Sequence, residues 1–178
     1  LGLVLPEEYG FEVQTSDFDE NLPKDTDAAD YALRTATAKG ESVVKARNAP
    51  DELVISADTV VVRKDKILEK PRDDDHARDM LSKLSGKTHK VITGVALFHK
   101  GRSCGFHAST KVTFSKLTAA AIDDYVATGD PLDKAGGYGI QGRAGCFVEG
   151  IDGCYHNVVG LPVNRLAREL QGFLADQW

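Results

Sequence analysis

The stretch LVISADTVVV, Leu53 to Val62, constrains this chain most: a near-continuous run of aliphatic and β-branched residues broken by one carboxylate. A run that is apolar at odd and even positions alike buries both of its faces, so it belongs in the centre of a sheet covered on either side. Asp58 then stands where an apolar residue is expected. Either the strand ends near Ser56 and Asp58 caps a turn, or the carboxylate sits at a strand's end, facing a cleft. There it can bind a divalent cation or activate water. The RKDK that follows reads as a hairpin tip leading into ILEKP.

Helical patterns flank the run. From Thr26 to about Ala46 the spacing predicts a helix, capped by Thr26 or Asp25, with Ala28, Ala32, Thr35, Lys39, Val43 and Ala46 facing inward. Lys39 is the odd member of that stripe. A lysine on an inner face must snorkel to water or meet an anion, because burying the bare charge is costly. Asp73 caps a second helix with Ala77, Met80, Leu81 and Leu84 on one side, and Gly86 stops it. Thr118 opens a third, carrying Ile122, Tyr125 and Val126. Pro162 starts the last, with Val163, Leu166, Ala167, Leu170 and Leu174 as its stripe. Segments from Phe11, and in KVITGVALF, STKVTF and CFVEGIDG, read as further strands. Helices mixed with hairpin-like and crossover strands predict an α/β or α+β domain around one mixed sheet.

At 178 residues, with no linker rich in Pro, Gly and Ser, the chain is expected to be one domain with a sizeable core. A net charge of −5 argues against a general nucleic-acid binder but leaves room for a small anion in a local cationic pocket. No apolar run approaches the roughly 18 residues of a membrane span. LGLVLPEEYG lacks the basic start and apolar run of a signal peptide. The three cysteines are too few and too irregularly spaced for a disulfide framework or a CxxC site. No HExxH-like pairing of histidines points to zinc. A reducing, cytoplasmic setting is the expectation.

DKAGGYGIQG, Asp133 to Gly142, places four glycines around one tyrosine. Glycine weakens both helix and strand, so such a segment is kept for a turn or for close approach of another group to its backbone. It is neither a GxxxxGK[ST] phosphate loop nor a GxGxxG fingerprint. Lys70, before Pro71, is pushed toward an extended conformation; alone it reads as surface, as does Glu20 at the end of SDFDE.

The pieces occur in a fixed order: ISADTVV, ILEKP, LSGKTHKVITGV, DKAGGYGIQG and NVVGLP. That series resembles the Maf (septum-formation-inhibitor-like) family, from about Phe11 to the last helix. The resemblance implies an α/β fold with an elongated mixed sheet flanked by helices and a central nucleotide cleft, similar to ITPases. It also implies a pyrophosphatase that splits a nucleoside triphosphate into monophosphate and pyrophosphate with Mg²⁺ or Mn²⁺. Carried over motif by motif, Asp58, Lys70 and Gln141 are catalytic, and Glu20 and Asp58 hold the metal. Lys39, Gly136, Gly137 and Gly139 bind substrate. GGYGIQG with NVVGLP is similar to the branch acting on dTTP and UTP rather than the one acting on 7-methyl-GTP. The partner implied is the nucleotide, with no nucleic acid or membrane, and a homodimer is a family-level expectation.

One departure stands out. The family's N-terminal strand and Ser-x-Ser-x-Arg-Arg loop have no match in LGLVLPEEYG, so the domain over residues 1–178 is expected to lack them. Two other readings compete: a nucleotide-binding regulator of septation that turns nothing over, and a purine-directed, ITP-type house-cleaning enzyme.

Overall fold

The computed structural model describes residues 10–18, 22–23, 26–48 and 51–175. Within them run α1 (Ala28–Arg47), β1 (Val54–Arg63), β2 (Lys66–Leu68), α2 (Asp74–Leu84), β3 (Thr88–His99), β4 (Arg102–Phe114) and α3 (Ala119–Val126). Three short 3₁₀ turns follow, then β5 (Val148–Asp152), α4 (Tyr155–Val159) and α5 (Val163–Ala175). The strands form one five-stranded antiparallel sheet in the order β2-β1-β3-β4-β5, flanked by helices, so the α/β expectation holds. A strand parallel to these, which a mixed sheet needs, does not occur among the described residues.

Local chemistry accounts for the element ends. Asp27, rather than Thr26 or Asp25, caps α1 and accepts hydrogen bonds from the amides of Ala29 and Asp30. Those two amide bonds hold its carboxyl below the ordinary carboxylate value. Asp73 and Thr118 cap α2 and α3 as expected. Lys64 and Asp65 both take positive φ between the paired residues Arg63 and Lys66, as a two-residue hairpin turn requires. The strand expected from Phe11 is absent: residues 10–18 carry no regular structure, and Phe11 and Val13 lie exposed with no face to bury.

The chain divides into two compact units. The first takes Leu1–Asp58, Thr93–Ala108 and Gly160–Trp178. Here the alternation of side chains along each strand sorts residues between two helices. Val95 and Leu97 of β3 and Phe106 of β4 pack with Leu166, Leu170 and Phe173 of α5, and Ile55 and Ala57 of β1 join them. The residues between face α1. A Cβ on Gly94 would come within 2.4 Å of the Leu33 nitrogen, and one on Gly105 within 2.8 Å of the Leu33 side chain. The helix lies almost on the sheet.

The second unit takes Thr59–Ile92 and Ser109–Val159. Its core joins Ala77, Leu81 and Leu84 of α2 and Ile122, Tyr125 and Val126 of α3 to Val61, Val91, Val112 and Phe114 of the sheet. Asn157 fastens α4 in the same unit: its side-chain amide donates to the Val91 carbonyl and to Thr110 Oγ1, each at 3.0 Å. No helix of the described residues is long and apolar enough to cross a membrane.

Candidate active site

Asp58 lies within β1, so it does not cap a turn; the strand continues past it to Arg63. Its Oδ1 accepts a hydrogen bond from Lys39 Nζ at 2.7 Å, with the two side chains only 11% and 20% exposed. Both oddities found in the sequence therefore answer each other: the lysine on the inner face of α1 meets the carboxylate in the apolar strand. An ion pair this far from water is tightly held, and removing one partner leaves the other charge buried and uncompensated.

Tight packing brings the two together. Ser56, two residues before Asp58 and so on the same strand face, has its hydroxyl 2.7 Å from the Ala36 carbonyl of α1. Gly40, beside Lys39, is buried at the middle of the helix. An interior helical glycine costs about 1 kcal/mol against alanine. Space explains it: a Cβ at Gly40 would sit 2.2 Å from the Phe98 ring and 2.6 Å from Ser56 Oγ.

In the second unit, the glycine segment is neither slack nor open. Gly136 and Gly137 take left-handed backbones, φ +72° and +74°, and both are buried. A Cβ on Gly136 would meet the Val61 side chain at 2.7 Å, and one on Gly137 would meet Pro71 at 3.3 Å. The Gly136 amide donates to the Glu69 carbonyl at 3.1 Å. The close approach that these glycines allow is thus to the EKP stretch of their own unit, and it fixes the residues on either side of Lys70. Lys70 itself is exposed, and its charge reaches Asp133. The Lys134 ammonium foremost, with Lys70 adding, holds the Asp133 carboxyl below its ordinary value.

Tyr138 anchors the segment in the core. Its hydroxyl lies 2.7 Å from Nε2 of buried His89, and its ring meets Phe114 edge to face. Burial pushes the Tyr138 phenol up and the His89 imidazole down to about 4, so the ring is neutral near pH 7. The next amide, at Gly139, donates to the Tyr125 hydroxyl at 3.4 Å. The missing Cβ of Gly139 faces only the Lys134 stem, which can swing aside. Gln141 is exposed in the turn that Gly139 and Gly142 close.

Of the residues selected from sequence, the structure joins Lys39 to Asp58 in one unit and sets Gly136 and Gly137 against Glu69–Pro71 in the other. Glu20 lies outside the described residues, as does LGLVLPEEY. Sequence reading gave Ser56, Gly40, His89 and Tyr125 no part in the site. Two signals were available: Ser56 shares the face of Asp58 by the two-residue period, and a glycine inside a helical pattern marks close packing. Nothing in the sequence pairs His89 with Tyr138.

An α/β protein with a half-buried carboxylate–ammonium pair between a strand and a helix, and a turn-built glycine segment, has the parts of a phosphate-handling hydrolase. The family model for Maf-like protein matches residues 4–173, and the chain belongs to the Maf family. It is 46% identical over 166 residues to the dTTP/UTP pyrophosphatase of Bacillus cereus strain B4264, covering 93% of this chain and 86% of the relative. It is 45% identical, with the same coverage, to the dTTP/UTP pyrophosphatase of Bacillus thuringiensis subsp. konkukian strain 97-27.

Proposed function

We propose that this chain hydrolyses dTTP and UTP, splitting the bond between the α- and β-phosphates to give the nucleoside monophosphate and pyrophosphate. The observation that carries the reading is the Lys39–Asp58 pair, formed by the two residues whose positions were hardest to explain by folding alone. Relatives named for this activity cover nearly the whole chain.

Asp58 is assigned the role of base, taking a proton from the water that attacks the α-phosphorus. Lys39 holds the carboxylate in place. Its ammonium also brings positive charge to the place where the phosphates are expected. Lys70 neutralises triphosphate charge as a compact cation. Gly136 and Gly137 hold the loop that carries Lys70, while Gly139 and Gln141 are offered to substrate. The metal this reading calls for is Mg²⁺ or Mn²⁺. Among the described residues no group of three or more His, Cys, Asp or Glu could hold an ion alone. Such ions are often bound by one or two carboxylates, here Asp58 and Glu20, plus substrate phosphates and waters. Bound there, the ion supplies positive charge against the triphosphate.

The test is pyrophosphate release from a panel of dTTP, UTP, ITP and 7-methyl-GTP, with and without Mg²⁺. Turnover of dTTP and UTP above the purines supports the proposal. Faster ITP hydrolysis moves it to the purine-directed class, and tight UTP binding without release moves it to a regulator.

A further inference from the structure

We propose that Ser56 and Gly40 form a positioning lock that sets α1 at the depth and register at which Lys39 reaches Asp58. The kinetic consequence rests on the pyrophosphatase reading above; the geometry does not. A lysine stem has four carbons and many rotamers, so a 2.7 Å contact at one carboxylate oxygen depends on where the helix backbone is held. Two contacts hold it there. The Ser56 hydroxyl lies 2.7 Å from the Ala36 carbonyl of α1 and 3.4 Å from the Ala96 carbonyl of β3, so one side chain joins helix and sheet. One turn further along α1, Gly40 presents bare backbone to that same hydroxyl and to the Phe98 ring.

The pattern is a match of periods. Ser56 and Asp58, spaced by two on the strand, face Ala36 and Lys39, spaced by three on the helix. The serine meets helix backbone, and the aspartate meets the side chain a turn beyond. The lock makes Ser56 a positioning residue, acting through Lys39 rather than on substrate. Misplacement of a catalytic group by about 1 Å can cost on the order of 100-fold in rate. Loss of one tether is expected to cost less, about tenfold in kcat with KM within about twofold.

Three readouts test it. The first is kcat and KM of Ser56→Ala in the wild-type and Lys39→Ala backgrounds. The lock predicts the loss only in the first, because without Lys39 there is nothing left to position. The second is the ¹H–¹⁵N signal of the Lys39 ammonium, which a persistent ion pair keeps sharp and which needs no turnover. It is expected in the wild type and in Ser56→Thr, and broadened away in Ser56→Ala. Gly40→Ala is expected to do the same by pushing α1 outward, and serves if Ser56→Ala does not fold. The third is Thr37→Val as a control. That hydroxyl donates back within α1, to the Leu33 carbonyl at 2.9 Å, and its loss is expected to leave both kcat and the signal unchanged. Equal kcat losses in the two backgrounds, or a Lys39 signal indifferent to Ser56→Ala, overturn the lock. A wild-type chain that shows the signal and its loss in Ser56→Ala, yet releases no pyrophosphate, overturns the pyrophosphatase reading and leaves the lock standing.

Discussion

The Lys39–Asp58 pair and the glycine segment hold polar groups in place by opposite means. The pair stands on regular elements: a helix and a strand choose the partners by their periods, and buried glycines let the backbones approach. The segment has almost no regular structure. Its course is set by what it rests on, Val61 and Pro71 below Gly136 and Gly137, and His89 and Tyr125 around Tyr138 and Gly139. In the first region the charged side chains carry the chemistry on a scaffold that regular elements hold. In the second the scaffold is the sequence itself, so small backbone changes act first on stability.

The sharpest test of that contrast is Asp58→Asn. Pyrophosphate release from UTP should fall by about 10²–10³, as expected for loss of one preorganised electrostatic contact. The circular dichroism spectrum should be unchanged. Wild-type turnover would end the assignment of Asp58.

Acid should break the second region before the first. His89 is held near 4 by burial against an ordinary value of 6.5, so on acidification the unfolded chain takes up the proton first. The stability tied to the neutral ring is full above about pH 6.5 and is lost as pH falls from there toward 4. The loss is about 3 kcal/mol over that window. Denaturant titrations at several pH values should show the slope, and His89→Gln should flatten it. An equally steep slope in the variant would assign it to other groups.

Gly136→Ala comes next, at about 2 kcal/mol, because it adds left-handed strain to a clash with Val61. Gly129→Ala is its comparison, with φ +77° and nothing within 4 Å, and should cost about half as much. Equal losses at the two sites, measured by urea unfolding, would mean that packing on Val61 contributes nothing. The smallest effect on turnover is expected at exposed Gln141. Its change to alanine should lower kcat about tenfold, which is about 1.4 kcal/mol in the barrier, without moving the melting temperature. Unchanged turnover would leave the segment as support for Lys70 alone.

Much of the fold was legible in the chain. The caps Asp73 and Thr118 and the α2 stripe follow from local pattern, which the structure repeats. The strand expected at the centre of the sheet forms as β1, but it lies next to the short β2 and only Val60, Val61 and Val62 are buried, because β2 covers just its last residues. Where reading failed, a longer-range contact decided. Ala46 is exposed although it falls on the inward stripe of α1, while Ala36 and Gly40, off that stripe, are buried against the sheet. The strand expected from Phe11 had the composition but found no buried face.

Sequence alone determined the class of the protein, the two residues out of place in it, and the order of motifs that carries the family. It could do so because periodicity and turn chemistry are local, and because a charge in an apolar stretch is visible without coordinates. Only the tertiary structure decided that Lys39 and Asp58 answer each other. It alone showed that Ser56 and Gly40 pack at the contact between α1 and β1, and that the glycines of DKAGGYGIQG yield space to Val61 and Pro71. Those facts depend on how closely elements distant in sequence pack, and that distance is set by the shapes of side chains that meet only once the chain has folded.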